Sequence, residues 1–521
     1  AIGCYTANSA LKKAYRKAEN NLVLADRIIA MSDYLTSVPA RKDELNKLWD
    51  ELSFNQFHDI IAGSSTKTAS DEAIMSLGKI YVDTEKIIND SLRSVVSKTD
   101  TSGEGGVVFV FNPFPYQLNS YVEYEPWTNW ENWEKEGWNL SDETGKPIEY
   151  QLIETEENLS FDKAGLNRIL FPVVLPPMGY RFYRFSKSKE RTAPNDTLCC
   201  SETFLENELL KVTFSPVSGE IISCVDKESG TEFVGRAGWN VGEVLEDLSD
   251  TWSHDEVKFD KTEGRFGNAK ITVIENGVLQ SSLLIERSYG VNVWSQVVVL
   301  RSGEKELKIK NKINWFDKFK MVKLGFDLNA DNIKSFHDIP FGQIERETNG
   351  YEFPTLMWMC SEGISSDGNS AGVALINDGK YGCDVNGSMM RLSILRSSPY
   401  AYDKHHNLNS KVNIDWLDMG LNEFDLAVKP YTGEFLKAGI IEKAREFNMK
   451  LPLVTNHCHG GKLPKAESVL KIESENIEMT AFKKSEDGKG YIIRLLNHSA
   501  TEEECKVIFN GSTHSISISG F

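Results

Sequence analysis

The chain has 521 residues, 40% of them hydrophobic and 26% charged, and a formal charge of −18. The length exceeds the ~150 residues typical of one domain, so two to four domains are expected, each able to bury an ordinary core. The composition is that of a soluble globular protein, and the acidity speaks against a nucleic-acid partner, because phosphate binding needs a basic surface.

The first hundred residues read as helical. Leu11, Tyr15, Ala18, Leu22, Ala25 and Ile29 recur at alternating spacings of four and three, with Asn8 or Ser9 placed to cap the helix. A second stripe after Pro39 runs Leu45, Leu48, Leu52, and a third runs Ala73, Leu77, Tyr81, Ile88 and Val95. Three helices with short connections predict an antiparallel bundle. Residues 97–106 are polar and glycine-rich, a linker. Beyond them the chain is strand-like, with apolar runs at 107–111, 170–175, 297–300, 307–313 and 371–376. Turn signals such as Asn276-Gly277, Asn349-Gly350 and Asn510-Gly511 separate them. This pattern predicts β-sandwich domains, with one short helix at 438–447. Further boundaries are expected at 187–197 and near Gly460-Gly461-Lys462. Trp127, Trp130, Trp133 and Trp138 read first as packing between a loop and a sheet, and second as a platform for sugar faces.

Eight cysteines lie scattered without C-x-x-C spacing, which suits reduced thiols and a cytoplasmic setting. No signal peptide is expected from the opening residues, and no apolar run nears the ~18 residues of a membrane span. The opening Ala-Ile-Gly, without Met, suggests a fragment or a processed product.

The second helical stripe ends in polar residues. Continuing the rhythm of Leu45, Leu48 and Leu52 reaches Asn55 and then Asp59, on a face expected to be buried, with His58 beside them. Buried polar groups need partners. A His-Asp pair there suits a metal or a hydroxyl-rich substrate, but a lone His-Asp is more often structural. One histidine cannot hold zinc, since a catalytic site needs about three protein ligands. Gly63-Ser64-Ser65 then ends the helix. His405-His406 and His457-Cys458-His459 lack the ligand count for a metal site.

The string Phe54-Asn55-Gln56-Phe57-His58-Asp59-Ile60-Ile61-Ala62-Gly63-Ser64-Ser65 resembles the NQFHD-x-x-x-GSS segment of glycoside hydrolase family 38, the α-mannosidases. Further segments fall in the family's order: Gly3-Cys4-Tyr5-Thr6, Phe111-Asn112-Pro113, Asp250-Thr251-Trp252-Ser253-His254, Asp338-Ile339-Pro340-Phe341-Gly342, Asn377-Asp378-Gly379-Lys380-Tyr381-Gly382 and Leu395-Arg396-Ser397-Ser398-Pro399. The resemblance implies a multidomain, mainly β protein: a three-helix bundle at 1–98, a small β-sandwich at 105–188, a large supersandwich of galactose-mutarotase type at 198–460, and a small C-terminal β-domain at 461–521.

It also implies a retaining, zinc-dependent exo-α-mannosidase acting on mannose-containing oligosaccharides. His58 would be one metal ligand and Asp59 a contact to sugar hydroxyls. Asp378, Lys380 and Tyr381 would face substrate, while the bottom-up reading of that stretch is a hairpin turn. Arg396 reads as a buried partner of a carboxylate. The family's His-x-Asp pair and its nucleophile belong upstream of Gly3, and no H-x-D occurs in these residues. The chain alone is therefore expected to be inactive and to bind zinc weakly. Asn422 and Tyr431 stand where family members often carry histidine, which leaves the branch and the linkage open. The competing reading is a non-catalytic carbohydrate-binding or scaffold protein. No membrane partner is expected, and homo-oligomerisation is compatible with these domains.

Overall fold

The computed structural model describes residues 1–39, 41–126, 133, 137–153, 168–187 and 198–520. The expected boundary at 187–197 lies largely outside them, as do Trp127 and Trp130. Among the described residues, a short 3-10 helix (Ile2–Tyr5) and four α-helices precede a long run of strands, and one further α-helix lies near the end of that run.

The bundle contains α1 (Ser9–Thr36), α2 (Lys42–Phe54), the four-residue α3 (His58–Ile61) and α4 (Lys67–Val96). Asn8 caps α1, its side-chain oxygen accepting from the Leu11 amide at 3.3 Å. All six residues of the first apolar stripe are buried, as are Leu45, Leu48 and Leu52. The helices run up, down and up. Asn21 donates to the Tyr81 carbonyl and Ser32 to that of Ser91, so α1 and α4 run the same way. Arg41 meets Asp90 and Asn55 meets Ser76, so α2 runs against α4.

Two large antiparallel sheets follow, of ten and nine strands. The ten-stranded sheet centres on Val234–Glu246, Lys320–Leu328 and Met389–Arg396. The nine-stranded sheet centres on Leu307–Trp315, Gly420–Tyr431 and Ser370–Asn377. Trp239, Trp294, Trp315, Phe326 and Phe424 fill one apolar core with residues of both sheets. The helix α5 (Ile440–Asn448) buries Ile440 and Ala444 in a separate cluster with Trp358, Ile376 and Ala427.

A smaller six-stranded sheet runs across the expected limit near residue 460. Its strand Gly106–Asn112 pairs on one side with Gly179–Lys187 and on the other with Leu453–His457. Ala466–Ser468 joins the same sheet. The units 198–460 and 461–521 therefore do not follow the sheets, because the chain returns to the early β layer before and after residue 460. The physical reason is the strand Gly106–Asn112: six of its seven residues are buried, and its second edge needs a hydrogen-bonding partner. The bundle, this sheet and the last hairpins share one continuous apolar core, from Leu11 to Val507.

All eight cysteines are unpaired, and Cys224, Cys360, Cys383 and Cys505 are buried. No helix among the described residues is long and apolar enough to cross a membrane.

Candidate functional site

The segment around His58 departs from the expected continuous helix. Helix α2 stops at Phe54, and Phe57 takes an extended conformation before α3 begins. Asn55 causes the stop. It is buried, and its amide donates back to the Glu51 carbonyl at 2.9 Å and to the Ser76 hydroxyl at 3.0 Å. The break rotates Asp59 off the buried stripe. The side chains of His58 and Asp59 are 80% and 54% exposed, which corrects the expectation that Asp59 lies on the buried face. His58 Nε2 lies 3.7 Å from Asp59 Oδ1, and its ring packs against that of Phe57, tilted by 45° with centroids 4.3 Å apart. Phe54 and Phe57 are also exposed, so an apolar rim borders the pair.

An imidazole nitrogen and a carboxylate are suitable donors for a zinc ion, but they are two where about three are needed. Among the described residues no third ligand joins them. The pair fits zinc as part of a site whose other ligands come from elsewhere.

The far end of α3 rests on α1. The buried Lys12 ammonium donates to the carbonyls of Ala7, Ile61 (3.1 Å) and Ala62 (3.2 Å). Burial lowers its pKa to about 8, against the attraction of Asp418. Gly63 follows with φ of +75°, and a Cβ there would sit 2.3 Å from the Ala7 carbonyl oxygen.

The other expected substrate contacts form a second group, set between α1 and the large sheets. Asp378 accepts from the Asp425 amide at 3.0 Å and pairs with Lys13 at 3.3 Å. The Tyr381 hydroxyl accepts from Arg16 Nε at 3.1 Å, with the guanidinium 4.7 Å from the ring centre. Lys380 turns inward. Its ammonium donates to the Ile394 carbonyl at 2.7 Å and lies 4.8 Å from the centre of the Phe424 ring. Burial lowers its pKa to about 8. Lys380 is thus a strut of the interior, not a group presented at the surface of this chain. Asn377 explains the turn: its side-chain oxygen accepts from the amides of Gly379 and Lys380.

Arg396 is buried and ion-paired to Asp247, the structural role its position suggested. It also donates to the Thr251 carbonyl at 2.6 Å, fixing the loop that carries Asp250 and His254. Sequence reasoning missed Asp403 in this neighbourhood. Among the described residues, Asp250, His254 and Asp403 form the one trio of ligand-type side chains, their ligand atoms within 4.8 Å of one another. The trio is already bonded. Asp250 Oδ2 lies 2.7 Å from His254 Nδ1 and accepts from the Lys404 amide at 3.2 Å. Burial raises the Asp250 pKa, but these hydrogen bonds outweigh it and leave the carboxyl below its ordinary range. The Lys404 ammonium, on the His254 carbonyl and Asp255, adds positive charge beside the trio. Only the i, i+4 spacing of Asp250 and His254 was visible in advance. Of the tryptophans, Trp133 and Trp138 are buried and stacked at 5.2 Å, as packing groups.

Known proteins resemble this chain along nearly its whole length. The family description "Alpha mannosidase middle domain" matches residues 2–95. "Glycosyl hydrolases family 38 C-terminal domain" matches 205–404, and the family's "C-terminal beta sandwich domain" matches 476–519. Alpha-mannosidase 2C1 of Homo sapiens is 24% identical over 96% of this chain and 45% of its own length. Alpha-mannosidase G of Dictyostelium discoideum is 21% identical over 95% of this chain and 46% of its own. The chain thus spans less than half the length of these relatives. A crystal structure of a glycosyl hydrolase family 38 protein from Enterococcus faecalis superposes with a TM-score of 0.83 at 17% identity, covering 98% of this chain and 67% of that one. An alpha-mannosidase structure from Enterococcus faecalis V583 gives 0.79 at 16% identity, covering 98% and 64%.

Proposed function

Because the chain belongs to glycosyl hydrolase family 38 and carries its middle, C-terminal and C-terminal β-sandwich domains, we propose that it is the C-terminal part of a retaining, zinc-dependent exo-α-mannosidase. Its substrates are terminal α-mannosides of mannose-containing oligosaccharides, and its setting is the cytoplasm. The observation that carries this reading is the outward-facing His58–Asp59 pair, rimmed by Phe54 and Phe57, which has ligand chemistry but too few ligands. Such a half-site suits a second surface that brings the remaining donors.

In this reading His58 offers an imidazole nitrogen to the metal, and Asp59 accepts a hydrogen bond from a sugar hydroxyl. Zinc, when bound, supplies a positive charge that orients adjacent hydroxyls of the terminal mannose. Retention of configuration requires a nucleophilic carboxylate and an acid/base roughly 5 Å apart. We assign neither to these residues. Asp378 and Tyr381 act from behind, holding the large sheets against α1.

The test uses the full-length protein and p-nitrophenyl α-mannoside. A chelator is expected to abolish hydrolysis and zinc to restore it. His58→Ala is expected to lose at least about 100-fold in kcat/KM, more than the loss of an outer partner of a metal ligand. The 521 residues alone should release no product. Activity indifferent to chelator and to His58→Ala would remove the zinc assignment.

A further inference from the structure

We propose that Lys12 is the positioning residue of the His58–Asp59 pair, setting the direction in which His58 offers its nitrogen to the metal. The proposal rests on the reading of His58 as a ligand.

A four-residue helix has almost no stability of its own, because nucleation is unfavourable and few bonds repay it. None of the four residues of α3 is buried, and its N-cap makes no side-chain hydrogen bond. Something outside α3 must hold it. Asn55 anchors the chain before it, through Glu51 and Ser76. Lys12 anchors the chain after it. The last carbonyls of a helix are unsatisfied acceptors at its negative end, where a cation is favoured. Lys12 places its ammonium there and directs all three donors at carbonyls: two at the end of α3, one at Ala7.

The other end of this link is rigid. Lys12 is the fourth residue of the 28-residue α1, between the core residues Leu11 and Tyr15. Ser9 adds a fixed point, its amide donating to Asp418 at 2.8 Å. The same Asp418 carboxylate accepts from the Arg396 amide at 3.0 Å. The His58 backbone is thereby referenced to the large sheets, although its side chain is exposed. Lys13, the next residue, pairs with Asp378. Neighbouring lysines of α1 thus tie it to α3 on one side and to the sheets on another.

The experiment uses the full-length protein and two readouts besides activity. Zinc affinity is measured by competition with a chelator, and amide hydrogen exchange is followed in residues 57–63. In Lys12→Met, zinc affinity is expected to fall about 10- to 100-fold, as for other outer partners of metal ligands. Exchange in 57–63 should speed up while the amides of α1 and α4 keep their protection. Lys12→Arg restores the charge and should recover part of the affinity. If Lys12 only stabilised the bundle, exchange would rise throughout it and folded molecules would keep full zinc affinity; that result overturns the proposal. Should Lys12→Met fail to fold, Lys12→Gln replaces it, and full affinity in that variant overturns the proposal equally. His58→Ala separates the two ideas. Undiminished zinc binding in His58→Ala defeats the parent reading. A loss there with none in Lys12→Met or Lys12→Gln defeats only the role of Lys12.

Discussion

Lys323 lies where the carboxylates of Glu352 and Asp384 converge, and all three side chains are fully buried. Arg391 adds a second cation to Asp384 at 2.9 Å, and the Ser393 hydroxyl donates to Glu352 at 2.6 Å. An intact buried charge cluster adds little net stability, because desolvation offsets attraction, but removing one partner strands the others. Lys323→Met is therefore expected to cost about 3–5 kcal/mol. The check is a lowered urea midpoint with an unchanged slope. A cost below about 1 kcal/mol would mean that the carboxylates do without the ammonium. The same rule made Arg396 readable from sequence, since a cation after the apolar run ending at Leu395 must be paired if buried. Its partner Asp247 was not readable, as any of 76 acidic residues qualifies. For Lys380 the turn was legible and the direction of the side chain was not, because Asn377, Ile394 and Phe424 decide it together.

At the level of elements, the three long helices could be read because burial repeats with the helical period, and every residue of the first stripe is buried. The end of α2 could not be read that way. Asn55 continues the stripe and is buried, yet its amide turns back to the Glu51 carbonyl and the helix stops. The period therefore predicted an inward-facing Asp59 where the structure has an outward-facing one. Gly63 shows how closely the segment after the break is held. Its φ of +75° disfavours any L side chain, and a Cβ would meet the Ala7 carbonyl at 2.3 Å. A left-handed residue costs roughly 1–2 kcal/mol and steric overpacking roughly 1–3. Gly63→Ala is thus expected to destabilise by at least about 2 kcal/mol. Thermal unfolding of the variant measures this. An unchanged Tm would mean that the 58–63 segment does not lie against Ala7.

Across the whole molecule, the mainly β character and the helical start were visible in composition and period, but the assembly was not. Which strand pairs with Gly106–Asn112 is a long-range choice, and nothing local to Leu453–His457 announces it. The last hairpins are joined to the rest by a similarly distant set of contacts around Glu478. This carboxylate is bonded by Arg445 of α5 at 2.7 Å and faces His498 Nε2 at 2.9 Å. The His498 carbonyl accepts from Gln343 of the nine-stranded sheet at 2.7 Å, and Arg27 of α1 donates to the Met479 carbonyl at 2.9 Å. Bundle, large sheets and C-terminal hairpins thus meet around Glu478. Burial alone would raise the Glu478 pKa, but Arg445 and His498 outweigh it and lower it to about 2. A carboxyl whose folded pKa lies below its unfolded value of about 4.3 binds fewer protons when folded. Its contribution is complete above that unfolded value and is lost as pH falls toward 2. Glu478→Gln should therefore unfold at a lower temperature than the parent at pH 6. The gap should narrow steadily between pH 4.5 and pH 3, because the parent spends its advantage as unfolded chains take up protons that the folded carboxylate refuses. Scanning calorimetry of both proteins across that range decides it. A gap that stays constant with pH would assign the loss to altered packing and remove Glu478 from the electrostatic link between the domains.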